Sequence, residues 1–549
     1  MARVIVMTPP VARLFRAAAV LGILSSFAAA QQKLPQLAPA VEATAELPRV
    51  YVKTDMPVAP ARGHRVIPVT EGMDLQAVLN QAQPGDVIEL ARGALFVGNF
   101  MLPAKTGDGW IVIRPSNFAA LPKEGVRMTP TIANRLQLPR IISPNSQPAI
   151  RSSPNSHHYR FVGLDLGVLA NQKMSYGVVI LDAGDESHKL SEIPHDIILD
   201  RMYIHGDEKL SLRRCVALNS AMSAVIDSWL SDCHDSDADA QAIAGWGGPG
   251  PFKIVNNYLE ASTENVLFGG SDPGVTGVVP SDIEFRRNHV NKPLRWKKVW
   301  IAKNLIEIKA ANRLLVEGNI FEGSWAHGQA GEWYVIWSAN QGGGCTWCTT
   351  QDVTIRLNVV RNIGAVGVIS ATAYHPSIPT HRIVVTDNII TGINVPPYDG
   401  NGRGFGVFTG VTDVTIAHNT VISPTNAAVV ISGNQIVKGL TFRDNIVDAG
   451  KFGILADGVQ GPKAFTMFAP DIVFKSNVLI GGDGGATSTM TNGNLFPFNV
   501  AVLRFIDLAN GDVSLPANSP LKSRGSDGRD IGANVAAVRA ATEGVRVNP

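Results

Sequence analysis

Charge is scarce in this chain. Only 17% of its 549 residues are Asp, Glu, Lys or Arg, and the net charge is +2. No basic tract interleaved with aromatics occurs, so the electrostatic footprint of a nucleic-acid binder is missing. Cysteine is limited to four residues, Cys215, Cys233, Cys345 and Cys348. Cys345 and Cys348 form a C-x-x-C on a Gly-rich loop, GGGCTWC, not at the start of a helix after a strand, as a thioredoxin-like redox motif requires. Cys215 and Cys233 have no His at ligand spacing, which argues against zinc. A structural disulfide closing the 345–348 loop is the expectation, and four cysteines suffice for two bridges. Long apolar runs are missing too, apart from one near the N-terminus. No later run of that length occurs, so no membrane span is expected after residue 30.

The early run has the pattern of a secretory signal. Arg3, Arg13 and Arg16 precede AAAVLGILSSFAAA, and Ala28-Ala29-Ala30 is a cleavage site in form. Residues 1–30 are therefore expected to be a signal peptide, removed near Ala30 on export to the periplasm or medium. Residues 31–65, rich in Pro, Ala and Gln, read as a flexible linker.

What the chain has in abundance is repetition. RLLVEGNIF (313–321) returns as DIEFRRNHV (282–290), DVTIRLNVV (352–360), RIVVTDNII (382–390), DVTIAHNTV (413–421), GLTFRDNIV (439–447) and DIVFKSNVL (471–479). The Asn positions 257, 288, 319, 358, 388, 419, 445 and 477 are separated by 31, 31, 39, 30, 31, 26 and 32 residues. A strand, an Asn and a second short strand at this period predict coils stacked into a solenoid. Each Asn amide would bond its copy in the next coil, while the inward Val, Ile and Phe bury against theirs. The predicted fold is all-β, a single-stranded right-handed parallel β-helix with an N-terminal capping helix. In the early coils Asp165, Met202 and Trp229 are read at the Asn position.

The cap is assigned to 71–93, where Leu75, Val78 and Leu79 share a helix face before a Pro-Gly-Asp turn and the strand VIEL. The solenoid is bounded at 66–534, with 501–534 wrapping the last coil and 535–549 left as a tail. A further strand precedes the Asn strand of each coil, in copies such as CVALNS, QAIAGW, LIEIK and WYVIWS.

LIEIK (305–309) carries the chemistry. If Ile306 and Ile308 face the core, Glu307 and Lys309 project outward together, roughly 6–7 Å apart along the strand. Neighbouring coils, about 4.8 Å apart, add Asn265, Asp272, Trp246, Trp337, Asn340 and Gln341. Glu307, Asp272 and Asn265 are candidate ligands for calcium, a hard cation that takes oxygen donors. Lys309 is the candidate base. Trp246, Trp337, Asn340, Gln341 and Lys292 are candidate substrate contacts. Arg286 and Arg287 join Lys309 as catalytic candidates on a cationic edge suited to an acidic polymer. HDSDADAQ (234–241) spaces Asp235, Asp237 and Asp239 like a calcium loop, without the Gly and Glu of an EF-hand.

The segment LIEIKAANRLLVEGNIF resembles the coil of the chondroitinase B and alginate lyase family, within the pectate-lyase-like superfamily (pectin lyase fold). The likeness implies a calcium-liganding role for Glu307 and a general-base role for Lys309. The family's Arg falls near Gln329-Ala330-Gly331 in this sequence. The expected function is lyase-type cleavage of an acidic polysaccharide by an exported monomer. The alternatives are a non-catalytic glycan-binding or surface scaffold solenoid, and a polygalacturonase-like hydrolase using Asp272 with Glu307.

Overall fold

In the computed structural model, β-branched and aromatic strands stack in parallel into three long sheets. Described are residues 44–547 apart from 170–173, 183, 185, 423–425 and 483–491. The signal segment 1–30 and the start of the linker lie outside the described residues. The first sheet has 14 strands, among them Ser281–Arg286, Ala311–Glu317 and Thr350–Arg356. The second has 13, including His289–Asn291 and Ile320–Glu322. The third also has 13, including Glu264–Phe268, Asn304–Ile308, Glu332–Asn340 and Ala365–Tyr374. Each coil adds one strand to each sheet, and the architecture is a right-handed parallel β-helix.

Register explains the core. Phe285, Val316, Ile355, Val385, Ile416, Phe442 and Phe474 are successive partners up the first sheet. All are buried, so each apolar residue is covered by its copies above and below.

The corner between the first and second sheets is held by the Asn ladder. The residue before each Asn takes a left-handed backbone, from Asn256 (φ 59°) through Arg287 (54°), Leu357 (57°) and Asp387 (54°) to Ser476 (53°). That residue is a glycine only at Gly318 (φ 66°) and at Gly493 (φ 74°), so most coils carry the steric cost of a side chain there. The Asn that follows offsets it. Its Oδ1 accepts from both the backbone N–H and the Nδ2 of the preceding coil's Asn, as at Asn288 onto Asn319 (2.8 and 3.1 Å).

The ladder extends further than the sequence indicated. Asn477 donates to Asn494 Oδ1 at its upper end. At its lower end the Ser228 N–H bonds Asn257 Oδ1, and the Ser228 hydroxyl receives the Met202 N–H. Trp229 pairs with Tyr258, and Asp165 with Tyr203, so both stand one residue past the ladder position. The serine at 228 does the same job with a shorter side chain, which an Asn pattern alone overlooks.

The helix Leu75–Gln81 is capped by Asp74 and buries Leu75 and Leu79. At the far end the helix Pro462–Phe468 buries Ala464 and Phe465 and lays Phe465 5.1 Å from Phe474.

Two end segments depart from expectation. The linker read as flexible is laid across the first sheet: Glu46 N–H bonds Asp352, Arg49 N–H bonds Asp282, and Thr54 C=O accepts from Arg160. Val52 packs with Ile198, Ala224 and Ile226. The tail packs Leu503, Leu521 and Ile531 on Val478 and Ile480 of the last coil, as expected, but then runs back along the Asn corner. Ser526 N–H meets Asp444, Asn534 N–H meets Asp387, and the helix Val535–Thr542 follows. Arg287 then donates to Ala541 and Glu543 carbonyls, and Arg127 to that of Val545. The side chains of the left-handed corner residues, Asp444, Asp387 and Arg287, give the tail its line of partners.

Both cysteine pairs are disulfides, Cys215–Cys233 across the second and third sheets and Cys345–Cys348 within the Gly-rich loop.

Candidate functional site

The outer face of the third sheet carries a cleft of about 380 Å³. Its floor is Glu307 and Lys309. Ile306 and Ile308 face the core at 1% exposure each, so alternation turns Glu307 and Lys309 outward as expected. The 332–340 and 365–374 strands are the longest of the sheet, and they raise a wall from Trp337, Gln341 and Tyr374. The opposite side holds Arg213, Arg214 and Trp246, with Asp239 and Lys303 at one end.

The floor is an ion pair. Lys309 Nζ lies 3.3 Å from Glu307 Oε1, and Asn304 Nδ2 donates to Glu307 Oε2 at 2.9 Å and to Gln329 Oε1 at 2.8 Å. Burial pushes the Glu307 carboxyl up to about 7, and nearby Glu264 adds to the rise against the pull of Lys309. Burial works to lower the Lys309 ammonium, but Glu307, Tyr374 and Glu264 outweigh it and hold it above the ordinary lysine value. The carboxylate beside Lys309 thus favours its charged form, whereas the base role expected of it needs the neutral amine. The Nζ is 6.0 Å from the Trp337 ring centre and 5.9 Å from that of Tyr374.

The remaining charges are arranged around this pair. Lys303 lies between Asp239, in a short contact, and Glu264 at 3.2 Å. The Arg214 guanidinium sits 5.0 Å from the Trp246 ring, and burial lowers it to about 10. It is still a cation at neutral pH.

The other candidates go elsewhere. Asp272 accepts the backbone N–H groups of Gln341, Gly342 and Gly344 and so fixes the disulfide loop. Asn265 Oδ1 accepts from Lys292 Nζ at 2.8 Å. Lys292 is 1% exposed, with its ammonium also on the carbonyls of Ala261, Thr263 and Asn304. It ties the coil corner together and meets no cleft. Asn340 is buried between Pro376 C=O and Cys345 N–H. Arg286 pairs with Glu284 and Glu317 on the first sheet, and Arg287 holds the tail.

Glu307, Asp272 and Asn265 therefore do not form a calcium cage. One faces an ammonium at 3.3 Å, another is filled by three N–H donors, and the third is turned to Lys292. The Asp235 loop is likewise satisfied internally, with Asp235 Oδ1 accepting from the Asp237 and Ala238 N–H groups.

Arg213, Arg214, Lys303 and Tyr374 were missed. Arg214 pairs with Gln241, one residue outside the strands read from the sequence, and only the register aligns them with the cleft. Gln329, where the family's Arg would fall, is in the lining.

No family model matches the sequence, and no curated protein matches it. Among solved structures the chain is similar to an alginate lyase from Paenibacillus sp. str. FPU-7, with 13% identity over 72% of this chain and 98% of the other and a TM-score of 0.32. A mannuronic acid specific polysaccharide family 6 lyase from human gut microbiota gives 11% identity over 79% and 90%, with a TM-score of 0.42. A PL6 family alginate lyase gives 13% over 78% and 53%, with a TM-score of 0.46. The fold assignment rests on the three sheets themselves.

Proposed function

We propose that this is an exported protein that cleaves an acidic polysaccharide by β-elimination in the third-sheet cleft. The observation that carries this reading is the Lys309–Glu307 pair set among three further cations, Arg213, Arg214 and Lys303, and three aromatic rings, Trp246, Trp337 and Tyr374. Sugar rings stack on the indoles. Arg214 and Lys303 neutralise the substrate carboxylate as the neighbouring carbon loses its proton, the charge that develops in an elimination. Lys309, in its neutral form, takes that proton. The C–H electrons form the C=C bond, the glycosidic C–O bond breaks, and the leaving oxygen takes a proton from solvent. No step is routed through calcium, because the expected ligands do not converge.

A second reading has a specific observation behind it. A carboxyl held at about 7 is suited to act as the general acid of a hydrolase, and Glu307 is such a group. Its carboxylate partner in that case is Asp239, which lines the cleft, and not Asp272.

Incubation with alginate, pectate and chondroitin sulfate separates these readings. Elimination leaves an unsaturated sugar that absorbs in the near ultraviolet, and hydrolysis shortens the chains without it. Saturable binding with unchanged chain length would show a non-catalytic solenoid and overturn both.

A further inference from the structure

Away from the cleft, two early coils bring together residues that stand far apart in the chain. His195 pairs with His157 across the first sheet, which sets Asp196 over His158. Both 158 (φ 57°) and 196 (φ 52°) have left-handed backbones, so the two strands begin with the same bend. The ligand atoms of His158, His195 and Asp196 all lie within 4.8 Å of one another, and all three residues are half-buried. We propose that His158, His195 and Asp196 form a site for one divalent transition-metal ion, zinc or cobalt in its chemistry, that clamps these two coils together.

The hydrogen bonds around the cluster prepare it. His157 Nε2 meets the Lys105 carbonyl at 3.0 Å, and a carbonyl only accepts, so Nε2 carries the proton. In neutral His157 the other nitrogen, Nδ1, is then an acceptor. It lies 2.8 Å from His158 Nδ1, which must therefore be the donor. This leaves His158 Nε2 with its lone pair. His195 is oriented by Asp196, with Nδ1 and Oδ2 2.7 Å apart, and by stacking on His157 at 4.8 Å with the rings 6° from parallel. Trp110 closes one side of His158 at 5.2 Å. Such outer partners fix the tautomer and orientation of metal-binding imidazoles. Two imidazoles and a carboxylate suit a borderline ion such as zinc, with water in the fourth position.

Among the described residues one other cluster has comparable spacing, His418 with Asp444 and Asp527. There the Arg443 guanidinium already supplies the cation, 2.6 Å from Asp444 and 3.3 Å from Asp527. That cluster is not a metal site.

The test is calorimetric titration of Zn²⁺ into chelator-treated full-length protein, with Co²⁺ visible absorption as a second readout. The proposal requires saturable uptake of one ion and a rise in unfolding temperature on adding Zn²⁺. Affinity should fall at least tenfold in His158→Asn and in Asp196→Asn, because Asn tolerates the left-handed backbone and keeps the fold. His195→Gln, on ordinary strand backbone, repeats the test should either of those fail to fold. His418→Gln should leave uptake unchanged. Absence of saturable uptake, uptake that survives these cluster substitutions, or uptake lost with His418 would each overturn the site.

Discussion

Asn319 gives two protons to one atom: its backbone N–H and its Nδ2 both reach Oδ1 of Asn358, each at 2.9 Å. Its own Oδ1 serves Asn288 in the same way. Replacing Asn319 by Leu strands two buried donors on Asn288. The expected loss is about 1–3 kcal/mol per orphaned group, measured by denaturant unfolding. Asn477→Leu strands the same two donors on Asn445, and Asn494→Leu those on Asn477, so both should lose as much. Small losses at all three positions would remove the ladder as the support of the corner.

The pH profile decides which member of the cleft pair moves the proton. With Lys309 as base, only its neutral form is active, and Glu307 holds its value above the usual one. The rate should therefore keep rising through the alkaline range. Glu307→Gln removes that hold, so burial lowers Lys309 and the rising limb moves to lower pH. If Glu307 is instead the acid of a hydrolase, the rate should fall as pH rises through about 7. Lys309→Ala with undiminished turnover would exclude the base role.

Binding should depend on stacking and on charge separately. Trp246→Ala and Trp337→Ala should each weaken an acidic oligosaccharide by roughly tenfold, about 1.4 kcal/mol, with little change in salt dependence. Arg214→Gln should weaken it and also flatten the salt dependence, since a charge contact in an open cleft is screened. Isothermal titration at two ionic strengths separates the two effects.

The disulfides should differ in what they hold. Cys215–Cys233 spans 18 residues of core, and its removal should cost about 3 kcal/mol on the chain-entropy scale. The Cys345–Cys348 bridge spans only 3 residues and should cost less. Its loss should show in substrate affinity, because the Asp272-bound loop carries Gln341 into the cleft. Calorimetric unfolding with parallel binding measurements checks both.

Lys292 makes a pH prediction of its own. Burial lowers its ammonium from 10.5 to about 7, against the opposing pull of Glu264 and Glu260. Between those values the unfolded chain binds the extra proton, so this group makes stability rise with pH from about 7 to 10.5. The slope should be smaller in Lys292→Met. An unchanged slope in that window would mean that the ammonium is not buried as described.

The repeat was legible because stacking forces the same residue types back to the same place in every coil. RLLVEGNIF and its copies therefore determined the parallel solenoid and the buried Asn corner, and the alternation in LIEIK determined the outward pair Glu307 and Lys309. Alternation fixes the facing of a strand as soon as its isoleucines are placed. What the sequence left open is everything that depends on partners from other coils. Lys292 reads as a surface cation, and only the closed coil shows its ammonium among four oxygens. Asp272 reads as a ligand, and only the loop two coils further on shows that three N–H groups fill it. Arg213, Arg214, Lys303 and Tyr374 come to the cleft through register, and His158 meets Asp196 only because one coil separates them. Local periodicity sets which way a side chain points. The stacking of coils decides what it meets there, and so whether a charge is free for chemistry or already neutralised.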